Sequence, residues 1–278
     1  MKPAPFAFQR ADTVDGAIEL MRNAQGYAKY IAGGQTLGPM INLRLTQPDA
    51  VIDISRIAEL RAVSETPQGV RFGAAVRHAE IEDGKYPDPS RGLMARAARG
   101  LAYRPIRNRG TIGGSLAHAD PVAEWPTVLT ALDARVHMRG PSGERELPIG
   151  DFLTGYLTTA LDDEEILTAV TVPHVPEGGR VGFQKFCRKS GEFAHALTAV
   201  VLSGSVGRIA LGCASGTPIL LPEAAAVAIA ADSWSAGLDT DLRRAASRDF
   251  EAAGLQLDDY ESNLHAAIAA RAVREALR

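Results

Sequence analysis

The sequence predicts an α+β protein: an N-terminal part in which strands and helices interleave, then a smaller C-terminal domain with an antiparallel three-stranded sheet and helices. Three observations carry this prediction. Short apolar runs bounded by glycine alternate with amphipathic stretches as far as Val172. Pro173-His-Val-Pro-Glu-Gly-Gly179 has the composition of a linker and places the domain boundary between residues 176 and 177. Beyond it, three strand-like runs give way to helical sequence that continues to Arg278. The chain has 278 residues, 46% of them apolar, enough to bury a sizeable core in one large or two medium domains.

The elements follow in order. Thr13 to Ala24 places Ala17, Leu20 and Met21 on one helical face, with Asp12 or Thr13 able to cap. Ala28 to Ile31 is a strand that runs into Ala32-Gly33-Gly34-Gln35-Thr36-Leu37, a glycine turn that leads to a helix. Asp49 to Ile54 is a buried strand, and Gly69 to Ala74 alternates as a half-exposed strand does. Ser90 to Leu101, rich in Ala, Leu, Met and Arg, is helical. Arg107-Asn-Arg-Gly-Thr-Ile-Gly-Gly114 reads as a second glycine turn, and the segment after it is interrupted by Pro121 and Pro126. Val128 to Met138 leads into a strand, Arg139 to Gly143 turns, and Glu165 to Val172 is another strand. In the C-terminal domain, strands are expected over 182–187, 196–203 and 208–213, the last two joined by a Gly-Ser turn. Helices follow from Pro222 and from Asp258, the second with acidic residues at its start and Arg271, Arg274 and Arg278 at its end, as the helix dipole favours.

Composition removes several classes of function. The apolar content is too high for a disordered chain, and two cysteines, Cys187 and Cys213, cannot build a disulfide scaffold or hold an iron–sulfur cluster with four thiolates. This cysteine usage and the lack of a signal-like N-terminus predict a cytoplasmic protein, and no run is long enough for a membrane span. A net charge of −3 argues against general nucleic-acid binding. The charge is nevertheless uneven: Asp88 and Asp120 bracket six arginines and no carboxylate, which suits an anionic ligand, a partner surface or a solvated face. The six histidines show no metal-ligand spacing, and no G-x-S-x-G elbow is present. His118 fits a polar supporting role better than that of a catalytic base.

The two glycine turns carry the chemistry. Consecutive glycines between a strand and a helix let backbone N–H groups face a phosphate without obstruction by Cβ, so a side chain at Gly33 or Gly113 is expected to block a phosphate. Thr36, Thr111 and Ser115 add hydroxyl donors, and two such loops suit the two phosphates of a dinucleotide. Neither G-x-G-x-x-G nor G-x-x-x-x-G-K-[ST] occurs, so a Rossmann or P-loop nucleotide site is a poor fit and a different phosphate-cradling fold is required.

Two stretches, Ala32-Gly-Gly-Gln-Thr-Leu-Gly-Pro-Met40 and Ile106-Arg-Asn-Arg-Gly-Thr-Ile-Gly-Gly-Ser-Leu-Ala-His-Ala-Asp-Pro121, resemble the FAD-binding medium subunits of molybdenum hydroxylases, the family of the carbon monoxide dehydrogenase medium subunit and the xanthine dehydrogenase flavin domain. Ser115 after the Gly-Gly pair points to the carbon monoxide dehydrogenase branch. The resemblance implies an FAD-binding domain of the vanillyl-alcohol-oxidase (PCMH) type over 1–176, made of two α/β subdomains that divide near 55–60, and a C-terminal domain over 177–278. It implies that Ile31, Ala32, Gly33, Gly34, Gln35, Thr36 and Leu37, with Thr111, Ile112, Gly113, Gly114 and Ser115, hold the FAD pyrophosphate. Leu101, Glu124, Ile166, Lys185 and Phe193 are the further cofactor contacts it implies, with neither a catalytic side chain nor a metal on this chain. Partners follow in the same way: a large molybdopterin subunit and a small subunit with two [2Fe–2S] clusters, in a dimer of heterotrimers, and an external electron acceptor. The alternative function is a self-sufficient FAD-dependent oxidase of a small organic substrate, for which about 100 C-terminal residues make a meagre substrate domain.

Overall fold

The computed structural model describes residues 2–278. Its first unit is a parallel sheet built from β1 (Ala7–Arg10), β2 (Ala28–Ile31) and β3 (Ala50–Asp53) in the order β1-β3-β2, with α1 (Val14–Asn23) and α2 (Leu37–Asn42) in the connections. All four residues of β3 are buried, as a central parallel strand requires. Thr13 caps α1 by accepting from the Gly16 amide at 3.0 Å, and Val14, Ala17 and Ile18 form its buried stripe, with Leu20 and Met21 packed beside them.

Next come α3 (Ala58–Arg61), β4 (Val63–Thr66), β5 (Gly69–Gly73), α4 (His78–Glu82), α5 (Leu93–Gly100), α6 (Arg104–Arg107), α7 (Ile112–His118) and α8 (Glu124–Ala131). They are followed by β6 (Arg135–Gly140), β7 (Gly143–Pro148), α9 (Ile149–Phe152), the short pair β8 (Leu153–Gly155) and β9 (Thr158–Thr159), and β10 (Ile166–Pro173). Five of these strands form a sheet of order β4-β5-β10-β6-β7 whose core includes Leu93, Ile112, Leu116, Trp125, Met138 and Phe152. The C-terminal sheet is antiparallel, β11 (Arg180–Phe186), β12 (Ala196–Ser203), β13 (Val206–Gly212) and β14 (Ile219–Leu220), and is followed by α10 (Pro222–Ile229), α11 (Ala236–Ala252) and α12 (Asp259–Ala276). Gly182 lets α12 lie directly on β11, because a Cβ there would collide with the Ala272 carbonyl.

The structure departs from the sequence reading at several points. The C-terminal sheet has four strands, since the two-residue β14 adds an edge that carries no strand-length pattern. β5 is buried on both faces. Gly113 and Gly114 lie inside α7, because Thr111 caps that helix through the Gly114 amide. The exposed β1 and the charged β7 gave no apolar signal, yet both pair fully with their neighbours.

Shared core residues join the units. Ala199 and Ala210 of the C-terminal sheet complete the core of the five-stranded sheet, and Ala75 and Ile166 pack into the core of the parallel sheet. Glu275 of α12 adds a polar tie: it accepts from the Phe183 amide (3.1 Å) and Gln184 Nε2 (3.0 Å) of β11 and pairs with Arg96 of α5. Glu275→Ala removes the acceptor for all three groups and is expected to lower unfolding free energy by about 1–3 kcal/mol. Urea titration of the two proteins checks this, and an unchanged midpoint would show that the tie contributes nothing.

Candidate functional site

The two glycine stretches, about 80 residues apart in sequence, meet in space. Gly33 lies against the second loop so closely that a Cβ would collide with the Arg109 carbonyl and lie 2.8 Å from Gly110 Cα. Gly33 is thus fixed by loop-on-loop packing. Gly113 is equally constrained, since its Cβ would meet Ala74, with the carbonyl oxygen at 2.7 Å. These two glycines are needed for the fold itself, which corrects the expectation that a side chain there would obstruct only a phosphate.

The loops differ in what they offer a ligand. In the first, the amides of Gly33, Gly34, Gln35 and Thr36 have no acceptor among the described residues. Gly34, at φ +69°, turns the chain, and the Gln35 side chain closes the loop by donating to Gly33 O at 3.1 Å. Thr36 begins α2 without a capping hydrogen bond from its side chain. Ile31 ends β2, Ala32 packs beside the core, and Leu37 opens α2. In the second loop the amides are used internally. Ile112 donates to Val76 O (3.0 Å), Gly113 to Ala74 O (2.9 Å), Gly114 to Thr111 Oγ1 (3.1 Å) and Ser115 to Thr111 O (3.0 Å). What remains there are the Thr111 amide, which has no acceptor among the described residues, and the hydroxyl protons of Thr111 and Ser115.

Glu124 opens α8 and Lys185 lies on β11. Lys185 Nζ donates to Glu124 Oε1 at 2.7 Å and to the Gly100 carbonyl at 3.1 Å, next to Leu101, and both charged side chains are nearly covered. Burial raises the Glu124 carboxyl above the usual carboxylate range while Lys185 opposes the shift. Cys213, whose amide donates to Pro121 O, is close enough for Glu124 to add to the effect of burial, and its thiol is pushed up to about 12. Phe193 is 67% exposed in the loop after β11, where Gly191 rests on the exposed Tyr103. Ile166 is 2% exposed in the core between the two N-terminal sheets, so its side chain is committed to packing.

The arginine-rich segment divides. Arg107 forms a covered pair with Glu82 (2.7 Å) and also donates to Leu101 O and Ala102 O. Arg104 pairs with Asp83 (2.6 Å), and Arg96 with Glu275. Arg91, Arg99 and Arg109 are exposed and have no ion pair among the described residues.

Sequence reasoning missed His78. It is buried at the start of α4; its amide donates to Gly110 O (3.0 Å) and its Nδ1 accepts from Trp125 Nε1 (3.0 Å). Indole N–H only donates, so the ring is neutral with its proton on Nε2. Burial, reinforced by the Arg107 charge, lowers its pKa to about 3. No motif marks it: the signal was a histidine in a strand-to-helix turn, with Glu80 capping back onto the Arg77 amide at 3.0 Å.

Two predictions follow from this geometry. Lys185→Met leaves the Glu124 carboxyl buried without a partner and is expected to cost about 3–5 kcal/mol in denaturant titration, much of which the double variant with Glu124→Gln recovers. Equal losses in single and double variants would show that the pair is not coupled. For His78, the unfolded ring binds a proton near pH 6.5 and the folded ring does so only near about 3. Its contribution to stability is therefore complete above pH 6.5 and declines as the pH falls. His78→Asn should flatten the fall in melting temperature between pH 6.5 and 4.5, and identical slopes would contradict the assignment.

Comparison with known proteins places this geometry. Residues 4–175 match the model of the FAD binding domain in molybdopterin dehydrogenase. The alpha subunit of the 6-hydroxypseudooxynicotine dehydrogenase complex of Paenarthrobacter nicotinovorans is 38% identical over 203 residues, 73% of this chain and 69% of that protein. The nicotine 6-hydroxylase medium subunit of the same organism is 38% identical over 229 residues, 81% and 80% of the two chains. A solved structure of carbon monoxide dehydrogenase from Hydrogenophaga pseudoflava superposes with a TM-score of 0.90 at 31% identity, covering 99% of this chain and 98% of that one. The chain belongs to the FAD-binding family of molybdopterin dehydrogenases, as an oxidoreductase component of the medium-subunit kind whose cofactor is FAD.

Proposed function

We propose that this chain is the electron-transfer subunit of a heterotrimeric molybdenum hydroxylase. Electrons arrive from [2Fe–2S] clusters of a small partner subunit, with the organic substrate oxidised at a molybdopterin centre on a large one, and leave from FAD to an external acceptor. Its location is the cytoplasm, the complex is a dimer of heterotrimers, and residues 1–176 are the flavin domain of the PCMH type, with 177–278 as its companion. FAD, when bound, supplies the two-electron redox chemistry that lets one- and two-electron partners be joined.

The observation that carries this reading is the row of four free amides from Gly33 to Thr36, braced by the second loop. Successive backbone N–H groups in a glycine turn form a concave anion site. They would hold the FAD pyrophosphate with Thr36, while the hydroxyls of Thr111 and Ser115 donate from the facing side. Lys185, fixed by Glu124 and the Gly100 carbonyl, sets a positive charge beside Leu101, and the exposed Phe193 offers an aromatic face at the same edge. Side chains of this chain move no proton in the proposed role. Their task is to bind, orient and tune.

Two substitutions separate loop geometry from general stability. Gly34→Val forces a β-branched residue into left-handed backbone and is expected to weaken FAD binding at least about tenfold, whereas Gly38→Ala, with nothing within 4 Å of its Cβ, should leave it unchanged. Flavin fluorescence titration of the apo chain checks this, and full FAD retention in Gly34→Val would overturn the assignment of the loop. Purification from the source cell, with co-purifying chains weighed, tests the assembly. A large chain and a small cysteine-rich chain in equal amounts are expected, and a chain that purifies alone with bound FAD would favour a self-sufficient oxidase.

A further inference from the structure

We propose that His78 is a positioning residue for the cofactor pyrophosphate: its imidazole, held by Trp125, sets the spacing between the two glycine loops. This rests on the reading that the Gly33–Thr36 loop takes FAD.

A short chain of contacts carries the argument. Trp125, fully buried in α8, donates its indole N–H to His78 Nδ1 at 3.0 Å. The opposite edge of the imidazole abuts Gly110, where a Cβ would lie 2.8 Å from both Cδ2 and Nε2, and the His78 amide donates to the Gly110 carbonyl at 3.0 Å. Gly110 Cα in turn lies 2.8 Å from the position of a Cβ on Gly33. Nothing in this stack is adjustable, because both glycines have no side chain to yield and the imidazole is clamped between a hydrogen bond and a backbone. A displacement of the ring therefore displaces Gly110, and with it the platform on which the free amides of Gly33 to Thr36 rest.

The chemistry of the ring fits the task. Histidine fills the space with a rigid plane and satisfies the buried indole N–H, which an apolar residue of similar size would leave without an acceptor. The proton on Nε2 has no acceptor among the described residues and is presented on the Gly110 side. The charged group that faces the ring is Arg107 of α6, itself neutralised by Glu82. Trp125 adjoins Glu124, so the first turn of α8 anchors both the loop stack and the ion pair with Lys185.

The variants separate the imidazole's two properties. His78→Phe keeps bulk but removes the acceptor, His78→Asn keeps an acceptor where Nδ1 lies, and Trp125→Phe removes the donor together with part of the buried ring. Each apo chain would be titrated with FAD by flavin fluorescence, with circular dichroism melting in parallel. His78→Phe and Trp125→Phe are expected to weaken FAD binding about tenfold at temperatures where both remain folded, His78→Asn to stay within about threefold of wild type, and the double Phe variant to lose little more than either single one. If the Phe variants melt earlier but bind FAD as the wild type does, the role is structural only and the proposal is overturned. If His78→Phe does not fold, Trp125→Phe is judged against His78→Asn by the same criterion, and equal FAD binding in the two overturns the proposal. Failure of the wild-type chain to take up FAD would instead overturn the reading of the loop, and the proposal with it.

Discussion

The architecture of the proposed cofactor site depends on the missing Cβ of Gly33. The close approach of this residue to the Arg109 carbonyl is open to glycine alone. The two loops belong to different units, the first to the parallel sheet and the second to the helices that cover the five-stranded sheet. Their contact therefore fixes how those units sit against one another at the site. The free amides of Gly33 to Thr36 are consequently not a local property of a turn. Their direction depends on the packing of Ala75 and Ile166 into the first core and on Gly113 against Ala74, far along the chain.

The C-terminal sheet contributes in the same way. Lys185 comes from its sheet and Glu124 from the N-terminal part, and the ion pair between them is covered from water. Removing two charges from water is costly, and their attraction offsets the cost only with good geometry and further hydrogen bonds. The 2.7 Å contact and the bond to the Gly100 carbonyl supply both. A pair of this kind contributes little net stability and fixes where its two members sit. Neither the residues before β11 nor those from β11 onward contain both members of the pair.

Much of this was legible in the residues. The strands at Ile166–Pro173 and Ala196–Ser203 are apolar runs bounded by turn residues, and their burial follows, while Ala28–Ile31 was legible as a strand although none of its residues is fully buried. The glycine stretches identified the site because consecutive glycines mark backbone that must come close to something. What that something is was not legible. Gly33 and Gly113 face protein, and Gly114 sits in a helix that its own propensity disfavours, since the Thr111 cap and the packing of Ala74 decide the matter. Ile166 reads as well for a cofactor contact as for a core residue, and only its packing partners separate the two. His78 was invisible because its meaning lies in Trp125, 47 residues on, and in Gly110.

The arginine-rich stretch is half occupied within the chain itself. Three of its six arginines are bound to carboxylates of the same chain, with Arg107 and Glu82 largely covered. Their charges are spent on holding α4, α5 and α6 in place around the second loop. The unpaired amides at the first loop are neutral, fixed in direction and untouched by titration, so an anion bound there meets donors whose strength varies little with pH. Long charged side chains in the same place would lose conformational freedom on binding and would be screened by salt. Fixed amides incur that ordering cost once, when the chain folds. On the proposed reading, the many constraints on Gly33, Gly110 and His78 are the cost of preorganisation, because a backbone donor is useful only if the surrounding structure leaves it nowhere else to point.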